Sequence, residues 1–361
     1  MPYFKTAIKI ARGVDEDEFL LTKNRLFLNA EKRICTSLLL DTNILLSISN
    51  YMAEVIDKPS EEALNRYNLS EFVDFCLFCQ HNNLPFSLSP GFCIPEVAPN
   101  NFNNVLNRYN QFFGLHGIYV LDDPSGRDAC PILQMHDILS LPSDEIKLRA
   151  LPFLNLCAML IVESDQTITN PITRYDMYIE LVKEYIGLFS EKELCIASIV
   201  LGDFLKNHKD RFDEESEDLV KKVVNNFART KKQKRPRNSE EAIKIAFNGA
   251  SDLTMINVAV AGDGEPIDSV SMDVWLMSND AKLFGFLAKL FGYRILIPGQ
   301  NGMFAEISLP KGFETCMVPF TQKVYTQKML LRGNRQFVRM DSDLWVVRIQ
   351  EMLTLLKQVF G

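Results

Sequence analysis

The chain reads as an α/β protein: a doubly wound, mostly parallel, Rossmann-like sheet with an inserted helical subdomain. Three observations predict this. A continuous apolar run, Ser37-Leu-Leu-Leu40, ends on Asp41-Thr42-Asn43, the pattern of a strand buried on both faces that hands over to a helix. Strand-like and helix-like segments alternate on either side of it, as in a doubly wound sheet. Between about residues 101 and 209 the texture becomes helical, with apolar residues at helical spacing and few β-branched clusters.

Taken in order, residues 1–33 read as an N-terminal extension, with Phe19-Leu-Leu21 and Arg25-Leu-Phe-Leu28 as its apolar parts. The first half of the α/β core spans 34–110. After the strand that ends at Asp41, Ser60–Gln80 is predicted as one helix. Leu64, Tyr67, Phe72, Phe75, Leu77 and Phe78 form its apolar face, and Glu61 and Glu62 favour its first turn. Leu84–Pro90 is a short strand and turn, and Gly91–Ala98, which carries Glu96, leads into a further helix. A helical insertion spans 111–237, with helices over Ile146–Val162, Arg174–Phe189 and Glu191–Asn207, an acidic run Asp213–Asp218, a helix through Phe227 and a basic arm, Arg229–Arg237. The second half of the core, 238–310, opens on Asn238 with Glu241 three residues on, a capping box for a helix through Val260. Val274–Ser278 then reads as a strand, Ala281–Leu290 as a helix and Arg294–Pro298 as a short strand. The C-terminal extension, 311–361, ends in an amphipathic helix over Asp341–Phe360, with Trp345, Val346, Ile349, Met352, Leu355 and Leu356 on one side.

The bulk numbers exclude several classes. The chain has 361 residues with 47% hydrophobic and 24% charged content, a soluble globular composition large enough for its own core. No leader peptide is evident, and no stretch approaches the roughly 18 apolar residues of a membrane span, so a cytoplasmic protein without membrane contact is expected. The eight cysteines lie mostly in apolar runs and read as reduced core residues. Cys76-Leu-Phe-Cys79 lacks the second pair that a zinc site needs. No Walker loop, G-x-G-x-x-G or Ser-His-Asp set appears. Net charge is −7, so any contact with a phosphate backbone requires a local basic patch. Six of the nine residues from Arg229 to Arg237 are basic: Arg229, Lys231, Lys232, Lys234, Arg235 and Arg237. They read as a flexible arm for nucleic acid or as a solvated linker balanced by the acidic run. A weaker zone, Lys323, Lys328, Arg332, Arg335 and Arg339 among Phe320, Tyr325 and Phe337, has the mixture of a single-strand stacking surface or of a solvated strand pair.

The chemistry-bearing residues are acids. Asp41 closes the first strand, Glu96 lies about two helical turns past the second, and Asp280 follows Val274–Ser278; these are positions at carboxyl ends of strands, where such sheets bind ligands. Asp252 lies on the helix that starts near Asn238. Each also has a structural alternative: Asp41, Thr42 or Asp280 as a helix cap, and Glu96 or Asp252 as a solvated helix acid. Together the four are stable at one point only with cations bound or protons retained.

These segments resemble the PIN-domain superfamily of metal-dependent nucleases. Leu40-Asp41-Thr42-Asn43-Ile-Leu-Leu is similar to the family's first motif, and Pro90-x-x-x-Ile-Pro-Glu96-Val to its second. Ser251-Asp252-Leu-Thr-Met-Ile-Asn-Val-Ala is similar to the third, and Trp275-Leu-Met-Ser278-Asn279-Asp280-Ala-Lys-Leu to the fourth. The resemblance covers roughly residues 34–110 and 238–300, and the long interval between Glu96 and Asp252 requires the insertion. It implies phosphodiester hydrolysis with Mg²⁺ or Mn²⁺, the ions that hard oxygen ligands select. Asp41, Asp252 and Asp280 would be ligands, and Glu96 a ligand or water-orienting base. Asn43 and Ser278 would hold the carboxylates by hydrogen bonds. By analogy with PIN-type toxins and defence effectors the substrate is RNA, with a protein inhibitor, partner subunit or homo-oligomer among the expected partners. A structure-specific DNA nuclease and a catalytically silent PIN-like scaffold are the alternatives.

Overall fold

The computed structural model describes all residues except 1–2, 9–19, 56, 91–93, 98, 121–135, 189–190, 208–211, 268, 280–319 and 321–341. The chain divides into two units: Met1–Met135 with Met255–Ile307, and His136–Thr254 with Ser308–Gly361.

The first unit is mixed α/β. Among the described residues its strands are β1 (Tyr3–Ile8), β2 (Leu20–Thr22), β3 (Cys35–Leu40), β4 (Phe86–Ser89), β5 (Pro266–Ile267) and β6 (Val270–Met277). The sheet order is β2-β1-β6-β3-β4, with β5 paired to β6. β3 runs parallel to both neighbours: Leu38 sits opposite Leu88 of β4 and Trp275 of β6. β1 is antiparallel to β6 and to β2, so the sheet is mixed, with a parallel section of three strands. The N-terminal segment is therefore part of the sheet rather than an extension of it, and Phe4 and Ala7 are buried there.

β3 occupies the middle of the parallel section because it is buried from Thr36 to Leu40 and ends in three apolar residues, Leu38, Leu39 and Leu40. The chain then enters α2 (Thr42–Glu54), whose Ile44, Leu45, Ile48 and Tyr51 join Leu38, Leu40 and Met277 in one core. The helix expected over Ser60–Gln80 is two helices, α3 (Glu61–Arg66) and α4 (Ser70–His81). Asn68 breaks it by taking a left-handed φ of 54°, a conformation that Asn tolerates and a helix does not. Ser60 caps α3 by accepting from the Ala63 N–H at 3.2 Å. α5 (Phe102–His116) packs on α2 and brings Phe112 and Phe113 to the same core, where Tyr51, Phe72 and Phe112 meet as rings. α1 (Lys23–Glu31) lies between β2 and β3 in sequence. Its Arg25 and Asn29, with the Trp275 indole N–H, all donate to the buried Asp273 carboxylate of β6. Three donors around one carboxylate satisfy a charge that would otherwise be costly to bury.

The second unit is helical: α6 (Ser143–Ser164), α7 (Pro171–Tyr185), α8 (Glu191–Leu201), α9 (Phe204–Asn207), α10 (Glu214–Phe227), α11 (Ser239–Gly262, shared with the first unit from Met255) and α12 (Ser342–Phe360). α6 is buried almost all round from Phe153 to Glu163, and α12 packs along it, which draws the C-terminal segment into this unit. Pro152 inside α6 has no N–H for the Leu148 carbonyl, which instead accepts from the Thr254 hydroxyl at 3.2 Å. The acidic run Asp213–Asp218 is the start of α10, with Asp213 as its cap at 2.8 Å from the Ser216 N–H. Asn238 accepts from the Glu241 N–H at 2.9 Å, the first half of the expected capping box; the Glu241 carboxylate reaches back to the Arg237 N–H, one residue earlier than the motif has it. Phe320 is buried against Tyr175 and Phe204 and is no stacking surface, while the rest of its basic zone lies outside the described residues.

Candidate metal centre at the carboxyl edge of the sheet

Asp41 stands one residue past β3, between the carboxyl ends of β6 and β4. Its backbone N–H donates to the Met277 carbonyl at 2.9 Å, continuing the β3–β6 ladder by one residue. The side chain is only 5% exposed. It is the N-cap residue of α2 by position, yet its carboxylate makes no capping hydrogen bond to the helix. It is held instead by side chains. Asn43 Nδ2 donates to Asp41 Oδ2 at 2.8 Å, and the fully buried Ser278 hydroxyl donates to the same oxygen. Asn43 and Ser278, expected to hold the site's carboxylates by hydrogen bonds, thus both meet on Asp41.

Glu96 reaches the same edge by another route. It ends a 3₁₀ turn, Ile94–Glu96, and not the α-helix expected there. Pro95 has no N–H to continue a helical ladder, and the turn stays short. The Thr42 hydroxyl, on the residue next to Asp41, donates to Glu96 Oε2 at 2.7 Å. The sequence offered Thr42 only as an alternative helix cap; its hydroxyl orients the second carboxylate. A hydroxyl beside a strand-end Asp is the signal that could have suggested this. Two carboxylates, Asp41 and Glu96, are therefore fixed by a short relay of donors around Thr42 and Asn43.

The other two acids differ. Asp252 lies on α11, within the helical unit, where its Oδ2 accepts from Asn226 Nδ2 of α10 at 3.0 Å. Asp280 lies outside the described residues, as do the helix and strand expected over Ala281–Leu290 and Arg294–Pro298.

Among the described residues no group of three or more His, Cys, Asp or Glu side chains is placed to hold a metal ion. The described part of the site contributes two carboxylates with neutral amide and hydroxyl supports. That all-oxygen chemistry suits a hard divalent cation and does not suit zinc. Among the described residues the cysteines offer no rival centre: Cys76, Cys79, Cys157 and Cys195 are buried thiols, and burial pushes Cys79 and Cys195 up to about 12.

The basic run, expected as a flexible arm or a solvated linker, contains a hydrogen-bonded turn. The Gln233 N–H donates to the Thr230 carbonyl and the Thr230 N–H to the Lys234 carbonyl, each at 2.7 Å. Arg229 and Arg235 both pair with Glu163, at 2.9 and 2.7 Å, and Arg237 pairs with Glu241. Lys231, Lys232 and Lys234 are exposed.

Among the described residues no helix is long and apolar enough to cross a membrane. No family model, curated protein or solved structure matches the chain.

Proposed function

We propose that this chain is a metal-dependent endoribonuclease whose α/β unit is a doubly wound, PIN-like core. The observation that carries the reading is Asp41: a buried carboxylate at the carboxyl end of the central parallel strand, uninvolved in capping its helix, and held by Asn43 and Ser278, the two side chains expected to support the site's carboxylates. Glu96, joined to the next residue through Thr42, adds a second acid at the same edge. A buried Asp41 carboxylate kept in place by neutral donors is costly for folding alone, and a ligand cation accounts for its retention.

In this reading Asp41, Glu96, Asp252 and Asp280 hold Mg²⁺ or Mn²⁺, with Asp252 and Asp280 included on the resemblance. When bound, the cation supplies charge neutralisation and an activated water for phosphodiester hydrolysis. Asn43 and Ser278 keep the Asp41 rotamer fixed, and Thr42 does the same for Glu96, the ligand or the base that takes the proton of the attacking water. Incubating 5′-labelled single-stranded RNA and DNA with the protein in Mn²⁺ and in EDTA tests this. Internal cuts in RNA that appear with Mn²⁺ and vanish in EDTA are expected. Cleavage that survives EDTA, or no cleavage of either substrate, rejects the metal nuclease, and a preference for DNA replaces the ribonuclease by a DNA nuclease.

A further inference from the structure

We propose that the turn Thr230–Lys234 is a preformed contact for the phosphodiester backbone of single-stranded RNA, offered by the helical unit without any metal. The inference rests on the reading that the substrate is a nucleic acid, and it names how the substrate is held.

The turn owes its order to one buried carboxylate. Glu163 is 1% exposed near the end of α6, after a run of buried apolar residues. A lone acid there requires cationic partners, and it takes two: the Arg229 and Arg235 guanidinia, one on each side of the turn, converge on its Oε1. Arg235 also donates to Gln166. Between these anchors the chain is closed by the two backbone bonds of Thr230, with Gln233 in a left-handed conformation, φ 58°.

The pinning separates the basic residues into two jobs. Arg229 and Arg235 are committed to Glu163, and Arg237 to Glu241. Lys231, Lys232 and Lys234 project from the turn into solvent and form no ion pair among the described residues. Three ammonium groups within four residues, on a chain of net charge −7, make a local positive point suited to an anionic partner, with Lys232 also within Coulombic reach of Glu241. Because the turn is already formed, binding does not have to order it. No helix or strand of this segment projects to read base edges, so the contact is to backbone phosphates and is sequence-independent.

The test is binding of a fluorescein-labelled, mixed-sequence RNA 20-mer, followed by anisotropy in EDTA between 50 and 200 mM KCl. Wild type is compared with the triple variant Lys231→Gln, Lys232→Gln, Lys234→Gln, whose exposed changes leave the fold intact. Each phosphate contact to a single strand contributes about 0.7 to the slope of log K against log salt, so losing three should flatten it by about 2. Over this fourfold salt range that is roughly a twentyfold smaller change in affinity. Identical slopes, or a wild type that does not bind RNA at 50 mM KCl, would overturn the proposal. So would a triple variant that loses binding to phosphatidylserine vesicles but not to RNA, which assigns the turn to a membrane surface. The two readings fail separately. Turn-dependent binding without cleavage in Mn²⁺ keeps the turn and rejects the nuclease, whereas cleavage with turn-independent binding keeps the nuclease and rejects the turn.

Discussion

Replacing Asp41 by Asn removes one charge from a nearly buried side chain and keeps its shape. An Asn in the same rotamer still presents an oxygen to Asn43 Nδ2 and to the Ser278 hydroxyl, so both hydrogen bonds persist as neutral ones. Bonds to ionised groups contribute about 1.5–3 kcal/mol and neutral ones about 0.5–1.5, a loss of about 2–3 kcal/mol for the pair. Against this stands the desolvation of a buried carboxylate, several kcal/mol per ion. No backbone N–H of α2 is orphaned, because the carboxylate does not cap it. The terms nearly cancel, and metal-free stability should be unchanged or slightly raised. Cleavage should nevertheless fall by about 100-fold or more, since losing even a group that supports a ligand costs about 10–100-fold. Melting in EDTA and Mn²⁺-dependent cleavage of labelled RNA, measured on the same preparations, read the two effects separately. A melting point in EDTA lowered by more than about 4 °C, which is about 3 kcal/mol for a chain of this size, together with retained cleavage, would refute the reasoning and leave Asp41 a structural residue.

Asp273→Ala strips the shared acceptor from Arg25, Asn29 and Trp275 and should destabilise the protein by about 3–5 kcal/mol by urea denaturation; a loss below about 1 kcal/mol would mean that the network contributes little. Gly249→Ala should reverse the usual helix gain of about 1 kcal/mol, because the new Cβ would stand 2.8 Å from both Leu156 Cδ1 and Phe227 Cδ1. Overpacking of about 1–3 kcal/mol outweighs the propensity, and a raised melting point would show that these side chains yield easily. Burial pushes the Lys192 ammonium down to about 8, with Glu193 acting the other way. Below pH 8 folded and unfolded states both hold the proton and the cost is fully present; between pH 8 and 10.5 the unfolded state binds more protons, so the residue's contribution to stability rises with pH. Lys192→Met should therefore be more stable than wild type at pH 7, by a margin that shrinks across that window, and a pH-independent margin would contradict it.

What could be read from the sequence was local. β3 and the polar triplet after it were legible because a strand buried on both faces is a continuous apolar run that can end only at a boundary. The helices of the second unit and the Asn238 cap follow from spacing and from side-chain reach over three residues. That Asn43 and Ser278 support carboxylates was an expectation of the motif resemblance; that both meet on Asp41 was not legible. What escaped was non-local or hinged on one residue. The N-terminal strands are short, and their place beside β6 is set by pairing across the whole chain. Asn68 and Pro95 each interrupt an apolar helical pattern that periodicity alone would continue. The boundary of the helical unit depends on α12 finding α6, and the order of the basic turn depends on Glu163, 72 residues before Arg235. The Asn226 partner of Asp252 likewise lies on a different helix, beyond any local signal.

A cation held at the carboxyl edge of the sheet is tested most directly by the melting point of the wild-type protein in EDTA and in millimolar Mn²⁺. A cation that binds only the folded state stabilises it by RT ln(1 + [L]/Kd), about 2.7 kcal/mol at a hundredfold excess over Kd. For this chain that is a rise of a few degrees. The rise should be reduced or absent in Asp41→Asn and in Asp280→Asn. Identical melting of wild type in EDTA and Mn²⁺, or a shift that both variants retain in full, would contradict it.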